Sequence, residues 1–135
     1  MDNAYRQAMQ EQLAQLKEEL QEIRGLITHQ GYLSTLAYRA AERNLQLLVE
    51  ACIGIAKQTL KSEGLEVPGD ARQSFAKLKA HGLDTTGIPW PKVIGMRNAL
   101  VHNYLNLEPE RITEVIASGQ YLALFDFAAL RLQSA

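Results

Sequence analysis

Arg97-Asn98-Ala99-Leu100-Val101-His102-Asn103-Tyr104 holds the residues best suited to chemistry in this chain. Arginine grips two phosphate oxygens with a planar fork, and imidazole takes or gives a proton near neutral pH. Tyr104 adds a phenolic donor. Together they are tools for breaking a phosphodiester, and they need no cluster of metal ligands. Ala99, Leu100 and Val101 read as the apolar filling of a helix. At about 100° per residue, Arg97 and Tyr104 lie two turns apart on nearly the same face, while Asn98 and His102 share a second face four residues apart. His102 then leaves the helix about 140° around from Arg97. The pair meets at one substrate only if the helix ends or bends near His102, or if a second copy of the site faces the first. The same residues also suit an ordinary helix end, with Arg97 and Asn98 paired to neighbouring acids, His102 set against the macrodipole and the Tyr104 ring packed with its hydroxyl in water. Spacing alone leaves both readings open.

Beyond the spacing, the stretch resembles the signature of HepT-like proteins in the HEPN superfamily: Arg97, four residues, His102, one residue, Tyr104. Residues 42–56, from Glu42-Arg43-Asn44 to Gly54-Ile55-Ala56, resemble the family's central helix. Ser74-Phe75-Ala76-Lys77-Leu78 resembles its next short helix, and Ile94-Gly95-Met96 leads into the motif. The likeness covers about residues 30 to 130.

The resemblance implies an all-α, antiparallel bundle of about five to six helices in a single domain. It also implies a dimeric, metal-independent ribonuclease without a cofactor, the toxin half of a toxin–antitoxin pair. Its partner would be a minimal, MntA-like nucleotidyltransferase antitoxin that transfers AMP to Tyr104 and silences the nuclease. Arg97 and His102 would be catalytic, Asn98 would orient the phosphate or His102, and transfer RNA is the substrate expected by analogy. One position departs from the pattern: where the family often has an acidic residue between His and Tyr, this chain has Asn103. The alternative from a different class is a non-catalytic nucleotide- or partner-binding subunit of a nucleotidyltransferase, which would not require the ionisable His102. A third reading, a structural dimer, rests only on an N-terminal heptad pattern.

Composition sets bounds on these readings. The 135 residues suit one domain with one core. A net charge of −1 excludes indiscriminate coating of nucleic acid, which requires a basic surface that displaces counterions. RNA contact must come from a local patch. Cys52 is the only cysteine and lies in an apolar helical run, so it reads as a small buried hydrophobe. The three histidines are far apart in sequence and form no HxxxH pair, which gives a metal site little support. No signal-like opening and no apolar run of spanning length is present, so the expected location is the cytoplasm.

The elements that must position the motif are legible from periodicity. Met9, Leu13, Leu16, Leu20, Ile23 and Ile27 form a heptad seam in a helix from Asp2 to about Gln30, stopped at Gly31. That helix either packs along its own domain or forms the arm of a dimer. A second helix is expected from Ser34 to Ser62, with Leu36, Ala40, Leu47, Leu48, Ala51, Cys52, Ile55, Ala56 and Thr59 on its apolar face. Its charged group Arg39, Glu42 and Arg43 is either a solvated face, a wall of the RNA cleft, or the source of an acid that orients Arg97. Asp70 should cap a short helix through His81, and Pro91 suits the first turn of the motif helix. Trp90 is either core or a platform for a base. After a helix from Glu108-Pro109 and a break at Gly119 comes a last amphipathic segment carrying Tyr121, Leu122, Leu124, Phe125, Phe127, Leu130 and Leu132. No strand pattern appears.

Overall fold

The fold is built around one long helix that touches four others. The structure, a computed structural model, describes residues 1–102 and 108–133. Among these residues are six helices and no strand: α1 (Asn3–Gln30), α2 (Thr35–Ser62), α3 (Ala71–Ala80), α4 (Trp90–His102), α5 (Pro109–Ala117) and α6 (Leu122–Gln133). α2 packs against α1, α3, α4 and α6, while α5 lies against α1.

The first two helices form a hairpin whose ends are set by side chains. The Asp2 carboxylate accepts from the Ala4 N–H at 3.0 Å, and the Ser34 hydroxyl accepts from the Ala37 N–H at 3.1 Å, each satisfying a donor that the helix leaves unpaired. Gly31 takes the left-handed conformation, φ 82°, and its N–H donates to the Ile27 carbonyl at 2.8 Å. Leu13, Leu16, Leu20, Ile23 and Ile27 are buried against the rest of the chain, so the heptad seam is a core face. The arm reading is not needed to explain it.

Six of the nine residues expected on the apolar face of α2 are buried, Leu48, Ala51, Cys52, Ile55, Ala56 and Thr59, and the difference lies in its N-terminal half. Ala41, Asn44, Leu45, Leu48, Val49, Cys52, Ile55 and Thr59 lie inside, whereas Leu36 is 81% exposed and Ala40 is exposed. At about 100° per residue, Leu36 and Ala40 project about 140° and 100° away from Ala41, off the line that meets α1 and α6. Leu130, expected inside on α6, is 52% exposed.

Asp70 caps α3 as expected, accepting from the Arg72 N–H at 2.7 Å, and His81 is its C-cap residue. Trp90 is core, 5% exposed, with its ring stacked on Phe75 at 3.7 Å between centroids and edge-on to Phe127 at 4.9 Å. Its indole N–H donates to the Asp84 carboxylate at 2.7 Å, and that carboxylate also accepts from the Thr86 N–H and hydroxyl. A ring enclosed in this way is no platform for a base. Gly119, at φ 80°, separates α5 from α6 with the Arg24 guanidinium against it; the Arg24 Nε donates to the Ala117 carbonyl at 3.3 Å.

Cys52 is fully buried, and its thiol donates to the Leu124 carbonyl at 3.6 Å. Burial pushes the thiol well above its ordinary range, which removes the thiolate that would attack an electrophile. A maleimide or iodoacetamide should therefore leave the folded protein unlabelled and label Cys52 fully in denaturant. Rapid labelling of the native protein by mass spectrometry would contradict this packing.

Candidate functional site

α4 enters the core at one end and leaves it at the other. Trp90 and Ile94, four residues apart, are buried, and they fix the rotation of the helix against α2 and α3. Arg97 and Asn98 follow at three and four residues beyond Ile94, so they flank the same inward line and are half-buried. Val101 continues that line but is 44% exposed, and His102 beside it is exposed. The last turn thus carries the core-facing line of α4 out to the surface.

The structure places Arg97, Asn98 and His102 on one helix and gives each a different surrounding. Arg97 has a buried Nε that finds no hydrogen-bond partner among the described residues. Such a donor is one that a substrate oxygen or a water can satisfy at a gain, because burial has already removed it from bulk solvent. His102 occupies the last described turn of α4, as an imidazole suited to a helix C-terminus does. Within one copy the two side chains leave α4 about 140° apart, and helix geometry alone does not aim them at one point. Asn103 and Tyr104 lie outside the described residues.

Two residues of α2 were not singled out by spacing and now stand near the question. Asn44 is buried; its amide donates to the Ala40 carbonyl at 2.8 Å, while its Oδ1 has no partner among the described residues. Tyr38 is half-buried, and its phenol is pushed up by burial first and then by the carboxylates of Glu42 and Glu110. Glu110 lies in the first turn of α5, so Tyr38 and Glu42 belong to the end of the bundle where α5 begins. The available sequence signal was the four-residue step from Tyr38 to Glu42. Of the charged group expected there, Arg39 and Arg43 are exposed and Glu42 is half-buried. No described residue, Glu42 included, hydrogen-bonds the Arg97 Nε.

A separate depression lies away from these residues. A groove of about 1150 Å³ runs between α4, α5 and the start of α6, lined by residues that include Val93, Met96, Ala99, Arg111, Val115 and Tyr121; Arg97, Asn98 and His102 are not among them. Among the described residues, no group of three or more His, Cys, Asp or Glu side chains is placed to hold a metal ion. No single helix among them is long and apolar enough to cross a membrane.

Comparison with known proteins adds three findings. Residues 8–129 match the family described as Ribonuclease HepT-like. A relative named mRNA nuclease HepT, from Shewanella oneidensis, is 35% identical over 75 residues, a match covering 54% of this chain and 56% of that protein. The chain therefore spans about half the length of this relative. A chain in a solved structure described as "Crystal structure of the toxin-antitoxin with AMP-PNP" has a similar fold, with a TM-score of 0.81 at 23% identity, covering 95% of this chain and 97% of the other.

Proposed function

This chain belongs to the Ribonuclease HepT-like family, and from that premise we propose that it is a metal-independent endoribonuclease in which Arg97, Asn98 and His102 do the work. The observation that carries the reading is that Arg97, Asn98 and His102 share α4. Arg97 keeps a buried, unsatisfied donor while His102 stands exposed on the last turn. His102 takes the proton of a ribose 2′-hydroxyl; the 2′-oxygen bonds to phosphorus, and the 5′-oxygen leaves and acquires a proton. Arg97 holds the phosphate oxygens and offsets the charge they gain in the transition state. Asn98 orients the phosphate or His102. The product carries a 2′,3′-cyclic phosphate.

A homodimer resolves the geometry. A second copy facing the first brings a His102 toward an Arg97 that its own helix does not present to it, and it covers the exposed Val101 on the core-facing line. A variant held as a monomer should lose cleavage although both residues remain. The solved relative, described as a toxin–antitoxin structure, supports a toxin role and an antitoxin partner. That partner is a minimal, MntA-like nucleotidyltransferase: the Tyr104 phenol oxygen bonds to the α-phosphorus of a nucleoside triphosphate, pyrophosphate leaves, and the phenolic proton passes to solvent. The nucleotide then blocks the motif.

The test is incubation of the purified protein with cellular RNA in the presence of a chelator. Cleavage with cyclic-phosphate ends, and none of a matched DNA, is expected, because DNA lacks the attacking hydroxyl. Messenger RNA, which the Shewanella relative's name specifies, and transfer RNA are assayed side by side. If neither is cut by the unmodified protein, the nuclease reading fails and the nucleotidyltransferase-binding subunit takes its place.

A further inference from the structure

The net charge of −1 hides an uneven distribution. Residues 57–97 contain seven Lys and Arg against four Asp and Glu, net +3, while the remainder contains seven against eleven, net −4. The basic segment comprises the last turns of α2, all of α3 and the first half of α4, three helices packed together. α3 has no acidic residue within it; of the segment's four acids, Asp84 is buried in hydrogen bonds to Trp90 and Thr86, while Glu63, Glu66 and Asp70 are exposed in the connection between α2 and α3.

Within that segment the cations do different things. The Lys57 and Lys77 amines donate to the Gly69 and Glu66 carbonyls, at 3.3 and 2.7 Å, and so hold the loop between α2 and α3. Lys61, Arg72, Lys79 and Lys92 are exposed. Arg72 and Lys79, seven residues apart, lie on one face of α3, about 10 Å from each other by helix rise, with exposed Ala76 between them. A small residue flanked by two cations leaves room for a backbone to lie across the helix.

We infer that the exposed face of α3, together with exposed Lys61 and Lys92 on the neighbouring helices α2 and α4, is a second RNA-binding surface that holds phosphates outside the scissile position. The inference rests on the ribonuclease reading. A protein of net negative charge must concentrate its attraction for a polyanion in one place, and this is where the excess cations are. α4 sets the separation from the chemistry: Lys92 and His102 are ten residues apart, about 15 Å along the helix. The surface therefore acts on long RNA and not on a fragment confined to the motif.

The experiment measures binding, not cleavage, in a His102→Ala background at several salt concentrations. One variant adds Lys61→Glu, Arg72→Glu and Lys79→Glu; a second makes the same three positions Gln, so that cations are lost without new repulsion. Circular dichroism verifies that both keep the parent's helicity. For a long single-stranded RNA, the Glu variant should bind about tenfold or more weakly, and the slope of log K against log salt should fall by about two in the Gln variant, about 0.7 for each phosphate that is no longer neutralised. A trinucleotide should bind parent and variants alike. Unchanged affinity for the long RNA would overturn the inference and leave the nuclease reading intact, as would equal losses for the trinucleotide, which would indicate a diffuse field. A parent that binds no RNA in a salt-dependent way would also overturn it, whereas the nuclease reading is decided separately by cleavage.

Discussion

His102→Ala should lower the rate of RNA cleavage by roughly a hundredfold to ten-thousandfold, the range for removing a positioned acid or base. Arg97→Ala should cost about 10²–10³-fold, as the loss of a charge-stabilising group does. The conservative change is more informative. Arg97→Lys keeps the charge but loses the planar fork, so a bidentate grip on phosphate predicts that it remains close to Arg97→Ala. Asn98→Ala should fall less far, since an orienting amide acts through its neighbours. The assay is an initial rate on one RNA with chelator present, at matched helicity. Full activity in His102→Ala would remove this residue from the mechanism, and rescue by Arg97→Lys would reduce the role of Arg97 to simple attraction.

The second large effect is expected at the other end of the same helix. Trp90→Ala should destabilise the fold by about 3–5 kcal/mol, the usual cost of truncating a large buried aromatic residue. It removes the face stacked on Phe75 and the edge packed on Phe127. It also deprives the 7% exposed Asp84 carboxylate of its indole donor. Trp90→Phe separates these contributions, because it keeps a ring and loses the N–H; about 1–3 kcal/mol is expected. Urea denaturation followed by circular dichroism gives both values. A Trp90→Ala protein as stable as the parent would show that α4 is not anchored here.

The helices were legible because their signals are local. Asp2, Ser34 and Asp70 cap α1, α2 and α3 through side-chain oxygens, and Gly31, Gly82 and Gly119 adopt positive φ. Burial is a tertiary property and was less legible. The N-terminal half of the α2 face was misjudged because four helices surround α2 and broaden its apolar stripe: Leu36 extends a line that Ala40 and Leu47 share, whereas the buried Leu45 and Val49 lie on the far side of that line. Trp90 remained ambiguous until Phe75 and Phe127, 15 and 37 residues away, were placed against it. Arg97, Asn98 and His102 were legible as a motif, yet their relation in space depends on where α4 emerges from the core. Asn44 and Tyr38 were missed because an unpaired amide oxygen or a phenol beside two carboxylates is visible only after packing.

That α6 completes the walls around α2 bears on when the protein becomes itself during synthesis. Cys52 meets Leu124, and Trp90 needs Phe127, so a nascent chain that has not yet delivered α6 has its motif but not the core that orients it. Because α6 follows α4 in the chain, a rigid α4 depends on a helix that is synthesised after it.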